Sequence, residues 1–203
     1  ATQPAYFGGS SSCSNNALFS CNLLLPQPGA NGKPMILKRI FKPREKPERR
    51  VYEAIVAAAR RENFYQDMAV PDTIEGRFEM IVLHMYLVLR RLKDEGVEDL
   101  RQSLTDEFFA DMDGSLREFG VSDVAVGKKV RKLAESYYGR VTTYDKALTS
   151  GGGALEVALM RNIYPDDAPA AATKAMADYV VFAVKALSEL PREQVMGGKF
   201  SFQ

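Results

Sequence analysis

The sequence lacks the residues on which most metal sites and disulfide frameworks depend. It has a single histidine, His84, and two cysteines, Cys13 and Cys21, both within the first 34 of its 203 residues. From Met35 onward there is no cysteine pair to cross-link the chain, and no cluster of histidines or cysteines to bind a metal. These absences predict a reducing, cytoplasmic environment and a protein without a metal or another cofactor.

Long apolar runs and the common catalytic patterns are also missing. The most apolar stretch, Met80–Leu89, has ten residues and contains His84, whereas a membrane-spanning helix needs roughly 20 apolar residues. Gly151–Gly153 is not followed by the Lys-Ser/Thr pair of a phosphate-binding loop, and no G-x-S-x-G or H-E-x-x-H pattern occurs. The sequence therefore argues against a membrane-spanning protein and against the best-known classes of hydrolase and nucleotide-binding enzyme.

The strongest pattern that is present lies between Asp72 and Gly96. Apolar residues recur there every three or four positions, and a second apolar set fills much of the remaining circumference. A helix that is apolar on nearly all sides belongs in a protein interior. We expect Asp72 or Thr73 to cap its start and Gly96 to end it, which makes it the buried centre of the fold.

Amphipathic helices are predicted on both sides of this centre. The first is predicted to start at Glu48. The others are predicted to cover Asp99–Phe119, Val126–Leu148, Ala154–Ile163 and Ala170–Leu190. Gly139 predicts a kink, or a break into two helices, within the third of these segments. No segment alternates as a strand would, so the sequence predicts an all-α fold with about six to seven helices in a single bundle over residues 48–203.

Residues 1–34 differ in composition from the helical part. They are rich in Ser, Asn, Gly and Pro and carry one charged side chain, Lys33. Such a composition cannot bury enough apolar surface to order a chain. We expect a disordered or non-native extension, with Met35 as the natural start.

Residues 35–47 form a basic amphipathic arm. Between Met35 and Arg61 nine positive and three negative charges give +6, against +1 for the whole chain. The membrane or ribosome contact candidates in the arm are Lys38, Arg39, Lys42 and Arg44. Such an arm suits an anionic membrane surface or ribosomal RNA, and the alternative is a solvated tail.

A few polar residues stand out within the helices. His84 is expected to be a core residue, with the alternative that it acts with Asp111 or Asp113 as the acid and base of a small helical enzyme. Residues two apart on a helix point in different directions, so Asp111 and Asp113 should not share a proton or a metal. Asp113 and Arg117, four apart, should form an ion pair. We expect Asp111 to hydrogen-bond to another helix, through Arg161 or Tyr144.

A series of short motifs covers about Tyr52 to Tyr164 and resembles a known family. The motifs are Gly76-Arg77-Phe78, Leu83-His84, Phe109-x-Asp111-Met112-Asp113-x-x-Leu116-Arg117-x-x-Gly120-Val121, Val126-Gly127-Lys128-x-Val130, Tyr138-Gly139-Arg140, Tyr144-Asp145-x-Ala147-Leu148 and Leu159-x-Arg161-Asn162. In this order they are similar to the ubiquinol–cytochrome c chaperone family, which comprises mitochondrial assembly factors of the respiratory cytochrome complex and bacterial relatives.

The resemblance implies a non-enzyme that binds the cytochrome b subunit transiently before assembly, alongside a small partner protein or the ribosome, with no role for DNA. A bacterial member would be cytoplasmic, with peripheral contact to the inner membrane. The client-binding candidates are Arg77, His84, Asp111, Asp113, Arg117, Lys128, Tyr138, Tyr144, Asp145, Arg161 and Asn162. The alternatives are a ribosome- or RNA-binding adaptor and, less favoured, the small enzyme.

The arm yields a first prediction. A chain that begins at Pro47 should remain helical and unfold cooperatively, because the helical pattern of the bundle begins only at Glu48. It should sediment less with anionic vesicles or with ribosomes than a chain that begins at Met35. Equal sedimentation of the two chains at low salt would leave the solvated-tail interpretation.

Overall fold

Eight helices make up the regular structure that the computed structural model gives for residues 46–151, 153–164 and 168–202. They are α1 (Pro47–Ala59), α2 (Glu62–Gln66), α3 (Ile74–Asp94), α4 (Glu98–Glu118), α5 (Asp123–Ser150), α6 (Ala154–Ile163), α7 (Ala170–Glu189) and α8 (Arg192–Met196). Six of them have ten residues or more, and no strand occurs in these ranges. The predicted all-α bundle is confirmed. The N-terminal extension and the arm candidates Lys38, Arg39, Lys42 and Arg44 lie outside the described residues.

The predicted central helix, α3, is the core of the bundle. Every residue from Glu79 to Leu89 is buried, and α3 packs against α1, α4, α5, α6, α7 and α8. Neighbours on all sides explain why its apolar residues are not confined to one stripe. Within the described ranges, neither α3 nor any other helix is long and apolar enough to cross a membrane.

The two ends of α3 are set by local chemistry. At the start, the Gly76 amide donates to the Thr73 hydroxyl oxygen at 3.1 Å, so Thr73 rather than Asp72 is the cap. A Cβ at position 76 would lie 2.0 Å from the Pro71 carbonyl oxygen, and only glycine fits there. At the far end Gly96 adopts a φ of +65°, the left-handed conformation that ends a helix.

The break predicted at Gly139 is wrong. α5 runs without interruption for 28 residues. Glycine inside a helix costs only about 1 kcal/mol, and this cost is offset by the burial of Val126, Tyr137 and Tyr144 on the inner face. The Thr143 hydroxyl also donates to the Gly139 carbonyl at 2.8 Å within the helix.

The chain after α7 closes the bundle. α8 packs on α1 and α3, and Phe202 is buried against His84 with 4.9 Å between ring centroids. Arg61 donates to the Phe202 carbonyl at 3.0 Å. A Cβ at Gly198 would lie 2.7 Å from the Arg50 carbonyl oxygen, so this segment sits tightly on α1. The sequence predicts no element here, because a five-residue helix is too short to show a period.

The burial of α3 yields a second prediction. Leu83→Ala or Met85→Ala should lower the free energy of unfolding by about 2–5 kcal/mol, because both side chains are fully buried and their removal leaves a cavity. Urea denaturation measures the loss, with the exposed Val181→Ala as the control, expected to change it by less than about 0.5 kcal/mol. A loss below about 1 kcal/mol with an unchanged denaturant slope would contradict the burial.

Candidate functional site

A cleft of about 480 Å³ opens between the end of α3, the start of α4 and the C-terminal half of α5. Its floor is formed by Tyr86 and Leu89 of α3 and Tyr137 of α5, all buried in the core. Its charged lining residues are Arg90, Lys93, Asp94, Glu98, Arg101, Asp145 and Lys146. The cleft thus combines an apolar base with a polar rim.

The phenol hydroxyls on the floor are neutral hydrogen-bonding groups. Tyr86 donates to the Asp145 carboxylate at 3.3 Å. Burial raises the pKa of Tyr86 to about 12 and that of Tyr137 also to about 12. Both hydroxyls therefore keep their protons at physiological pH and can serve as donors.

Two ion pairs stiffen the rim, and two lysines are left over. Arg90 pairs with Asp145 across α3 and α5, and Arg101 pairs with Glu98 on α4. Lys93 and Lys146 have no ion-pair partner among the described residues. Among the acids that line the cleft, only Asp94 also lacks an ion-pair partner there. The rim can therefore receive a carboxylate from a bound segment without first breaking a pair.

An exposed aromatic ring forms one side of the cleft. Tyr138 is 56% exposed, yet its ring is backed by Tyr137 at 5.0 Å and Phe109 at 6.3 Å between centroids. Phe109 continues to Phe108 in the core at 5.0 Å. A ring held in this way offers a rigid contact surface at little cost in side-chain entropy.

This arrangement suits binding rather than catalysis. Among the described residues, no group of three or more His, Cys, Asp or Glu side chains is placed to hold a metal ion. The acid–base pair considered from the sequence is not formed, because His84 lies in the core against α7 whereas Asp111 bonds to α1. The fold and the cleft together define an all-α bundle with a surface cleft that has an apolar floor and a charged rim.

Of the client-binding candidates, Tyr138 and Asp145 line this cleft. Sequence reasoning missed its cations Arg90, Lys93 and Lys146, which match none of the motifs. The available signal was the abrupt change on α3 from the apolar run to charged residues after Leu89.

Tyr144 and Asn162 belong to a buried polar cluster instead. Tyr144 is fully buried, and the Asn162 side chain lies beside its hydroxyl. Nearby, Glu79 of α3 is buried and forms an ion pair with Arg140 of α5. Burial raises the pKa of the Glu79 carboxyl, against the opposing effect of the Arg140 guanidinium. The Glu79–Arg140 pair joins α3 to α5 below the surface, and the buried Tyr144 is not accessible to a client.

His84 is a core residue, as predicted. Its Nδ1 lies 2.7 Å from the Met80 carbonyl oxygen and its Nε2 lies 2.6 Å from the Tyr179 hydroxyl oxygen. A carbonyl only accepts, so Nδ1 carries the proton and the Tyr179 hydroxyl donates to Nε2. Burial lowers the pKa of His84 to about 4. The ring is neutral and inaccessible, so it cannot contact a client directly.

Asp111 makes the interhelical bond that was expected of it. It accepts a hydrogen bond from the hydroxyl of Tyr52 on α1 at 2.7 Å. The donor is therefore on α1, whereas Tyr144 lies at another interface and Arg161 is exposed on α6. The bond joins α1 to α4 and gives Asp111 a structural role.

The remaining candidates lie on the surface away from the cleft. Arg117 bonds to Asp113, as predicted, at 2.6 Å, and also pairs with Asp123. Arg77 pairs with Asp72 at 2.6 Å, and Lys128 is exposed on α5. Asp113 and Arg117 lie near the opposite end of α4 from the cleft residues Glu98–Thr105. Their contact with a client stays a prediction.

Comparison with known proteins places the chain in a family. The model of the ubiquinol-cytochrome C chaperone family matches residues 66–202, about two thirds of the sequence. The chain therefore belongs to the ubiquinol-cytochrome C chaperone family. The match extends through α7 and α8, beyond the segment that the motifs cover.

Individual relatives agree with this assignment. The chain is 25% identical over 116 residues to the ubiquinol-cytochrome-c reductase complex assembly factor 1 of Xenopus laevis, covering 56% of this chain and 58% of that protein. It is 24% identical over 148 residues to protein CBP3, mitochondrial, of Saccharomyces cerevisiae, covering 68% and 44%. The crystal structure of the Cbp3 homolog from Brucella abortus is similar with a TM-score of 0.70 and 42% identity, covering 82% of this chain and 93% of that one. The chain thus spans about half the length of these two curated relatives.

The buried histidine yields a third prediction, on pH. The unfolded chain takes up a proton near the ordinary pKa of 6.5, whereas folded His84 does so only near 4, so the unfolded state gains protons first as the pH falls. The contribution of His84 is therefore full above about pH 6.5 and is lost below it, by about 2 kcal/mol between pH 7 and pH 5. Urea denaturation at the two pH values should show this difference in the unsubstituted protein and not in His84→Gln. A folded-state NMR titration of His84 near pH 6.5 would contradict it.

Asp111 and Arg117 of α4 yield a fourth prediction. Asp111→Ala should lower the free energy of unfolding by about 1–3 kcal/mol, because it removes the hydrogen bond with Tyr52 that joins α1 to α4. Arg117→Ala, at an exposed ion pair, should change it by less than about 0.5 kcal/mol. Thermal or urea unfolding compares the two variants. Equal losses would show that Asp111 does not join α1 to α4.

Proposed function

We propose that the protein is an assembly chaperone for the ubiquinol–cytochrome c reductase and that it transiently binds the cytochrome b subunit of that complex. The family match and the Xenopus laevis relative, which is named an assembly factor of this complex, support the proposal. Cytochrome b is the client that the motif resemblance implies. The observation that carries the binding role is the cleft between α3, α4 and α5.

The chemistry of the cleft suits a segment of a membrane subunit outside the bilayer. Such a segment carries apolar side chains next to polar ones, and the cleft offers Leu89 and the Tyr138 ring beside the charged rim. Lys93 and Lys146 supply donors for carboxylates or free carbonyls. A client side chain can thus leave water here without leaving its polar neighbours unpaired.

The dimensions of the cleft favour transient binding. At about 480 Å³ it lies within the range of roughly 300–1,000 Å³ that encloses a drug-sized group. It would enclose one short stretch of the client rather than a large interface. A chaperone that must release its client during assembly needs such limited contact, because affinity grows with well-packed buried contacts.

The role is one of binding, so we assign no catalytic activity, and the small-enzyme alternative has no support from the placement of His84 and Asp111. We propose a cytoplasmic protein with peripheral access to the inner membrane, where the client resides. Contact with a small partner protein or the ribosome stays part of the proposal. The RNA-binding alternative rests on two basic stretches, Lys38–Arg61 and Lys128–Lys132, of which residues 38–45 lie outside the described residues.

Gene replacement tests the proposal. Deleting the gene should lower the amount of assembled ubiquinol–cytochrome c reductase while other respiratory complexes stay unchanged, as measured on native gels and by cytochrome spectra. Tyr138→Ala should restore assembly only in part and co-purify less cytochrome b, because it removes the exposed ring from the cleft. Its stability should change by less than about 1 kcal/mol, since the ring is largely exposed.

A matched control separates the cleft from general surface damage. Val157→Ala truncates a side chain that is 61% exposed on α6, away from the cleft, and should restore assembly fully. Full assembly in the deletion strain would refute the chaperone role. Full rescue by Tyr138→Ala, with normal recovery of cytochrome b, would refute only the assignment of the cleft.

A further inference from the structure

The first turn of α5 exposes an aliphatic side chain that the client-binding role does not use. Val124 is 95% exposed, more than any other large apolar residue in the described part of the chain. It follows the turn between α4 and α5, where the chain reverses at the edge of the bundle. A single exposed aliphatic side chain is ordinary on a protein surface, so Val124 gains meaning only from the charge that lies beside it.

A block of positive charge follows Val124 directly. Residues 124–134 contain four cations and no acid. The cations are Lys128, Lys129, Arg131 and Lys132. All four are exposed, and none has an ion-pair partner among the described residues. The positive charges of this block are therefore not neutralised by ion pairs with the described residues.

Val124 and most of these cations share the outward face of α5. At 100° per residue, Val124, Lys128 and Arg131 fall within about 60° of one another, and Lys132 lies about 40° beyond Lys128. The buried residues Val126 and Tyr137 point the opposite way. Lys129 sits on the flank. One surface thus carries an apolar tip followed by positive charge.

We propose that this surface, Val124 with Lys128, Arg131 and Lys132, docks the protein on an anionic lipid bilayer. Val124 enters the interfacial region, and the three cations contact lipid phosphates. Positive charge alone would equally fit RNA, but an aliphatic tip gains nothing from a phosphodiester backbone, whereas a lipid interface accepts both groups. The surface is independent of the basic arm and of the cleft.

The acids near this surface set the docking angle. Asp123 shares Arg117 with Asp113, so this group of three keeps one negative charge. Asp123 lies about 100° from Val124 around α5, off the proposed surface. Glu118 lies at the end of α4, and Glu135 lies eleven residues along α5 from Val124, about 16.5 Å at 1.5 Å per residue, and about 6 Å beyond Arg131. The N-terminal end of α5 must therefore point toward the lipid, with the helix inclined so that Glu135 stays in water.

The sequence contains no tryptophan, so Val124→Trp places a single fluorescent reporter at the tip. With phosphatidylcholine vesicles that contain about 30% phosphatidylglycerol, its emission should move to shorter wavelength and be quenched by brominated lipid. Val157→Trp, on exposed α6, should show neither effect. In the unlabelled chain, Lys128→Glu/Arg131→Glu/Lys132→Glu should weaken vesicle binding about tenfold or more, whereas Lys174→Glu/Lys185→Glu on α7 should leave it unchanged.

Each other outcome overturns the proposal. Val124→Trp emission that stays unchanged with anionic vesicles would show that the tip does not reach lipid. An equal shift with pure phosphatidylcholine would show that the cations play no part. A shift with single-stranded RNA but not with vesicles would assign the surface to nucleic acid. The assay uses only the folded protein and lipid, so its failure leaves the proposed role in cytochrome assembly intact.

Discussion

The burial of α3 on all sides is the constraint on which the rest of the structure depends. An all-round apolar helix is stable in water only if other elements cover it completely, and six helices do so here. Each of them needs only one apolar face and is free to carry charge on the other. The continuous apolar run ends at Leu89, and the turn from Arg90 to Asp94, in which Leu92 is still buried, borders the cleft. The cleft thus lies where charged residues begin to replace the core residues of α3.

Polar bonds inside the bundle divide the family motifs into two kinds. Glu79–Arg140 joins α3 to α5, His84–Tyr179 joins α3 to α7, and Tyr52–Asp111 joins α1 to α4. A buried polar group without its partner costs free energy, so each bond favours one relative placement of two helices. Motif residues of this kind maintain the frame. Tyr138 and Asp145, by contrast, face the cleft that the frame holds open.

Much of the fold could be predicted from periodicity, and much of the site could not. α3 and α6 were foreseeable because their apolar patterns are bounded by Thr73 and Gly96, and by glycines and Pro165. The predicted break at Gly139 failed because local propensity is weaker than the burial of Tyr137 and Tyr144. The cleft depends on pairs such as Arg90–Asp145, which lie 55 residues apart. Periodicity along one helix does not show which helices meet.

The seating of Phe202 on His84 has a consequence for the order in which the protein can fold. The contact between Arg61 and Phe202 joins residues 141 positions apart, so the ring that covers this flank of the central helix is synthesised long after the helix itself. Until then, one flank of His84 and its neighbours on α3 lacks its final cover. The nascent domain therefore stays partly open until the segment around Phe202 is made, and long-range closure of this kind is the slow part of folding.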